Sequence, residues 1–118
     1  MMASPWPTEL RLDQDKRELT VTFDDGKGFA LPAELLRVLS PSAEVQGHSE
    51  AQRVTVAGKR NVRIVKIEPV GNYAVRIGFD DGHDTGLYMW EYLRELGENA
   101  ERRWQAYLAD LAAKQLTR

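Results

Sequence analysis

A four-residue string that occurs twice constrains this chain more than any other feature. Phe-Asp-Asp-Gly stands at 23–26 and again at 79–82, 56 residues later. Each copy has a matching context: LTVTFDDGKGFAL at 19–31 and VRIGFDDGHDTGL at 75–87, with Leu31 and Leu87 closing the two segments at the same offset. Each segment then runs into a helical stretch, PAELLRVL in the first and YMWEYLREL in the second. A repeated string with a repeated strand before it and a repeated helix after it reads as structural duplication.

Each copy reads physically as strand, tight turn, strand and short helix. Leu19, Val21 and Phe23 alternate with Thr20, Thr22 and Asp24, and Val75, Ile77 and Phe79 alternate with Arg76, Gly78 and Asp80. That period of two belongs to a half-buried strand. Asp-Asp-Gly supplies the turn, because Asp tolerates the left-handed region and Gly enters it at no steric cost. Pro32 suits the first turn of a helix, with Leu35, Leu36 and Leu39 as its apolar stripe. Met89, Trp90, Leu93 and Leu96 form the second stripe, and Gly97 reads as its stop.

Flanking segments complete an α+β domain, small and mainly antiparallel, with a C-terminal helix. The alternation at 9–12 predicts a strand paired with the one from Leu19, and 62–70 predicts another that turns at Pro69-Val70-Gly71-Asn72 into a strand from Tyr73. The polar stretch 40–60 reads as a loop with one short strand at 53–57. In the tail, Asn99 is placed to cap a helix with Trp104, Tyr107, Leu108 and Leu111 on one face. The expected organisation is an N-terminal extension over 1–7, one domain over 8–97, and a helix over 98–118 that packs on or extends that domain.

Composition excludes several chemistries. There is no cysteine, so disulfides, thiolate zinc sites, cysteine-held iron–sulfur clusters and cysteine nucleophiles are ruled out. A net charge of −2 gives no general attraction to nucleic acid or acidic membranes. No apolar run reaches the roughly 20 residues of a membrane span, and the first residues lack a signal-peptide pattern. The cytoplasm is the expected location.

The candidate chemical groups are sparse. His48-Ser49-Glu50 with His83 has the composition of a facial iron triad, yet the chain is short for the barrel that such a triad needs, and His48 reads as a loop histidine. Asp80, Asp81, His83 and Asp84 could recruit a divalent ion; the reading adopted is a turn whose Asp side chains bond local backbone. None of Ser4, Ser40, Ser42 and Ser49 lies in a Gly-x-Ser-x-Gly elbow, and Gly58-Lys59 lacks the frame of a phosphate loop. Lys59, Arg60, Arg63 and Lys66 form the one basic patch, read as a solvated strand end rather than a nucleic-acid site. Large aromatics concentrate late in the chain. Trp90 is assigned to the core, whereas Tyr88, Tyr92, Trp104 and Tyr107 are expected to form a contact surface on two adjacent helices.

The opening strands with the first FDDG, LPAELLRVLSPSAEVQGH and FDDGHDTGLYMWEYLREL together resemble the gamma-butyrobetaine hydroxylase-like N-terminal domain, also a domain of unknown function in small bacterial proteins. The resemblance covers about 8–96. It implies a small zinc-bound module that precedes a catalytic barrel in eukaryotic dioxygenases. It also implies kinship with domains fused to P-loop scaffold ATPases of iron–sulfur assembly. The family's zinc site uses three Cys after the first helix and a His in the late turn. These positions fall on Ser40, Ser42, Val45 and His83, so only the His is retained.

The expectation is therefore a stand-alone, non-catalytic accessory or protein-interaction module without a cofactor. It would be an adaptor to iron–sulfur assembly or iron-dependent enzyme machinery, with a protein partner or a second copy of itself and no membrane. The competing readings are a protein related to iron- or zinc-dependent oxidoreductases and a weak nucleic-acid binder through 59–66.

Overall fold

The computed structural model describes residues 5–42, 45 and 54–118, and within them the duplication is plain. The first unit is β1 (Pro7–Leu12), β2 (Glu18–Phe23), β3 (Gly28–Pro32) and α1 (Ala33–Val38). The second is β4 (Ile64–Val70), β5 (Ala74–Phe79), β6 (Gly86–Met89) and α2 (Trp90–Glu98), followed by α3 (Ala100–Ala113). Each unit is a three-stranded antiparallel sheet in sequence order, β1-β2-β3 and β4-β5-β6. The fold is α+β, as the pattern predicts.

The two Phe-Asp-Asp-Gly turns are the same device. Gly26 and Gly82 hold φ of 86° and 90°, a region costly for any side chain. In each turn the Gly N–H donates to the Phe carbonyl at 3.0 Å. The second Asp accepts a backbone N–H two residues on, Asp25 from Lys27 and Asp81 from His83. The inward residues of the strands, Leu19, Val21, Phe23, Val75, Ile77 and Phe79, are buried with Leu31, Leu36, Tyr88, Leu93 and Leu96 in one core. Each such side chain contributes about 2 kcal/mol by leaving water. A second cluster joins Val38 to Tyr107 and Leu111 and fixes α3 on the end of α1.

The structure shifts several boundaries. Leu31 pairs with Leu19 and Tyr88 pairs with Val75, so Tyr88, not Leu87, is the counterpart of Leu31. The second turn carries one extra residue, and the helices that follow are related by 57 positions. Tyr88 and Met89 belong to β6 rather than to a helix, and Pro32 ends β3 in extended geometry (φ −62°, ψ 144°) ahead of α1. Gly97 does not stop α2, which runs one residue further, to Glu98. It is there because a Cβ at Gly97 would lie 2.5 Å from the Phe29 ring. Asn99 makes no side-chain cap for α3; its amide donates backward to the Glu95 carbonyl at 3.1 Å. Residues 54–57 form no strand, and Arg53 lies outside the described residues. Trp6 and Pro7, expected in an extension, border the first sheet: Pro7 starts β1 and the Trp6 carbonyl accepts from Asp24 N–H at 2.8 Å.

Candidate functional site

The halves are fastened by two ion pairs that exchange partners across the repeat. Arg94 of α2 reaches the first turn and grips Asp25 with two hydrogen bonds, at 2.8 and 3.1 Å. Arg37 of α1, at the equivalent helix position, reaches the second turn and donates to Asp81 at 2.8 Å. Arg94 also lies over the Phe23 and Phe29 rings, 5.1 and 5.4 Å from their centroids. The Arg94 hydrogen bond holds the Asp25 carboxyl below its usual range, against a smaller effect of burial. At Asp81, burial disfavours the charge, but Lys59, the His83 N–H and Arg37 together outweigh it and bring the carboxyl to about 2. These carboxylates are ionised structural anchors; neither has the raised pKa of a general acid.

Of the positions to which the family resemblance assigns zinc ligands, Ser40, Ser42 and His83 are linked by hydrogen bonds. Ser40, just beyond α1, has its Oγ 2.9 Å from His83 Nε2, and both residues are buried. The Ser42 N–H donates to Ser40 Oγ at 3.2 Å, and the Ser42 hydroxyl shares a 2.7 Å hydrogen bond with Thr85. Val45 is buried, and its N–H donates to the Ser42 carbonyl. Two hydroxyls, one imidazole and an isopropyl group do not make a structural zinc site, which needs thiolates or several imidazoles. Among the described residues no group of three His, Asp or Glu side chains is placed to hold a metal. His48 and Glu50, the remaining members of the facial triad considered above, lie outside the described residues.

The four aromatics expected on one contact surface are not gathered on an exposed face. Tyr88 is wholly buried and donates to the Leu36 carbonyl at 2.5 Å. Tyr92 donates to the Leu39 carbonyl, so the two hydroxyls close carbonyls at the C-terminal end of α1 that the helix itself leaves open. Tyr107 is 6% exposed and bonds the Val56 carbonyl at 2.6 Å. Trp104 is half-buried beneath the Arg118 guanidinium. Helical spacing marked these side chains as neighbours but did not show which way the stripe faced. Burial raises the phenol pKa of both Tyr88 and Tyr107.

Another aromatic group does face solvent. Trp6, Tyr73 and Met89 are 48%, 46% and 45% exposed, and Trp6 and Tyr73 line one shallow groove with Trp90, Asn72 and Glu91. Trp90, assigned from sequence to the core, is half-buried and packs against it, with its indole N–H on the Asn72 carbonyl at 2.8 Å. The repeat places a different surface at the equivalent position in the other half. Trp90 N–H donates to the Tyr73 carbonyl as Ala33 N–H donates to that of Arg17, and Asp24 N–H meets the Trp6 carbonyl as Asp80 N–H meets that of Arg63. Trp6, Tyr73 and Trp90 thus correspond to Arg63, Arg17 and Ala33. Aligning the two units with the one-residue shift would have exposed this contrast.

The basic segment is partly neutralised. Lys59 lies 2.6 Å from Asp81 and Lys66 lies 3.6 Å from Glu68, while Arg17 bonds Asn61 and the Arg60 carbonyl.

Comparison with known proteins agrees with the geometry. The family model for the gamma-butyrobetaine hydroxylase-like N-terminal domain matches residues 10–94, most of the chain. The chain belongs to that family. A crystal structure of a protein of unknown function from Acidithiobacillus ferrooxidans, of the DUF971 family, is 39% identical with a TM-score of 0.67, covering 80% of this chain and 98% of that one. Two NMR solution structures are similar over nearly the whole length. One is 44% identical (TM-score 0.85, covering 98% of this chain and 91% of that one). The other is 50% identical (TM-score 0.83, covering 100% and 90%). No curated protein matches the chain. No helix among the described residues is long and apolar enough to cross a membrane.

Proposed function

We propose that this member of the gamma-butyrobetaine hydroxylase-like N-terminal family is a non-catalytic accessory module that binds another protein through its aromatic end. The observation that carries this reading is the contrast between Trp6, Tyr73 and Trp90 and their counterparts Arg63, Arg17 and Ala33. The same backbone contacts form with and without the aromatics. Those contacts are made by the backbone and leave the Trp6 and Tyr73 side chains about half exposed, while Trp90 also packs against the core; surface Trp and Tyr are the side chains that anchor protein interfaces. The resemblance to domains fused to scaffold ATPases supports an adaptor role in iron–sulfur assembly or iron-dependent enzyme machinery. The cluster or iron would then be held by the partner. The internal pairing of Lys59 and Lys66 and the net charge of −2 weigh against nucleic acid as that partner.

Affinity capture from the native extract tests this, comparing the unaltered chain with Trp6→Ser/Tyr73→Ser and with Trp104→Phe. The reading expects a specific companion that the double variant loses and the Trp104 variant keeps, with thermal stability unchanged in the double variant. Retention by the folded double variant would refute it.

A further inference from the structure

The polar cluster of buried Ser40, Ser42 and His83 with the exposed Thr85 has no counterpart in the other half of the molecule. The position equivalent to Ser40 is Gly97, and the position equivalent to Gly86 is Phe29. At one junction the Phe29 ring closes over Gly97; at the other, Ser40 Oγ closes over Gly86, where a Cβ would lie only 2.5 Å from it. The fold can thus make this junction from a ring on a glycine. It makes the second one from hydroxyls and an imidazole, groups that are costly to bury unless hydrogen-bonded.

We infer that the Ser40–His83 and Ser42–Thr85 hydrogen bonds form a metal-free clasp that does in this chain the cross-linking which zinc does elsewhere in the family. The geometry of a cross-link is present. Both bonds span 43 residues, joining the chain beyond α1 to the segment between β5 and β6. The Ser42 N–H secures Ser40 Oγ from a third direction. Asp81 orients the turn from which His83 projects by accepting the His83 N–H at 3.0 Å. Among the described residues, none of the buried side-chain atoms without a hydrogen-bond partner belongs to the clasp. A metal is unsuited to the set, since only His83 offers a donor of ordinary zinc affinity.

The test uses the full chain. Purified protein is assayed for zinc and iron, and its thermal unfolding is followed with and without EDTA. The same is done for His83→Ala and Ser40→Ala, and for Ser40→Cys/Ser42→Cys/Val45→Cys titrated with cobalt(II). The clasp predicts only trace metal and no shift with EDTA in the unaltered chain, and a loss of about 5 °C in Tm in each alanine variant. It also predicts one cobalt per chain, with thiolate charge-transfer absorption, in the cysteine variant. Stoichiometric metal whose removal lowers Tm would overturn the inference, as would alanine variants with unaltered Tm. A folded cysteine variant that takes up no cobalt would refute the assignment of the family's ligand positions to Ser40, Ser42, Val45 and His83, and with it the clasp as their replacement.

Discussion

Gly97 sits inside α2, where alanine ordinarily gains about 1 kcal/mol over glycine. The Phe29 ring reverses that preference, because the new methyl carbon would stand 2.5 Å from Cγ of the ring. Gly97→Ala is therefore expected to lose about 1–3 kcal/mol by overpacking. Phe29→Leu, which trims the ring, should restore part of the loss in the double variant, and a denaturant-unfolding cycle measures that coupling. At Asp81 the controlling interaction is electrostatic. Its carboxyl titrates at about 2 in the folded chain against an ordinary 3.8, so its contribution is complete above the higher value and is lost as pH falls through the lower one. The stability gap between the unaltered chain and Asp81→Asn should be level above about pH 5 and should close between about pH 4 and 2. A gap that widens toward acid would contradict the assigned ion pairs.

The crossed arginines control how the two units dock. Arg94 has a side chain only 12% exposed, forked onto Asp25 and lying over two Phe rings. Arg94→Ala should lower stability, and Arg94→Lys should recover less than half of the loss, since an ammonium can neither fork nor stack. Tyr88→Phe should cost about 1–2 kcal/mol by leaving the Leu36 carbonyl without the donor that closes it. Equilibrium unfolding reads both. The elements themselves were legible because strand alternation and the Asp-Asp-Gly turns are local signals. Their edges were less so. Tyr88 and Met89 look helical in a window with Trp90 and Leu93, and only pairing with Val75 and Ala74 assigns them to β6. Gly97 and Asn99 resemble helix punctuation, but their roles depend on Phe29, 68 positions away from Gly97, and on the Glu95 carbonyl.

At the scale of the molecule, duplication produced a scaffold whose equivalent surfaces diverged. One end carries Trp6, Tyr73 and Trp90 and the other Arg63, Arg17 and Ala33; one junction is a ring on glycine and the other a polar clasp. The meeting of Ser40 and His83 was legible only through family resemblance, because no local pattern links a loop serine to a turn histidine. The aromatic end was illegible for a related reason: β5–β6 pairing brings Tyr73 beside Trp90, and Trp6, more than sixty positions earlier, joins them only when the two units assemble. The central functional claim is that this end is the working face. Hydrogen–deuterium exchange on the captured complex, compared with the free chain, tests it most directly. The account predicts new protection at Trp6, 71–74 and 89–91, with 59–66 and the exposed face of α3 unchanged. Protection confined to 59–66 or to α3, with the aromatic end still exchanging freely, would contradict it.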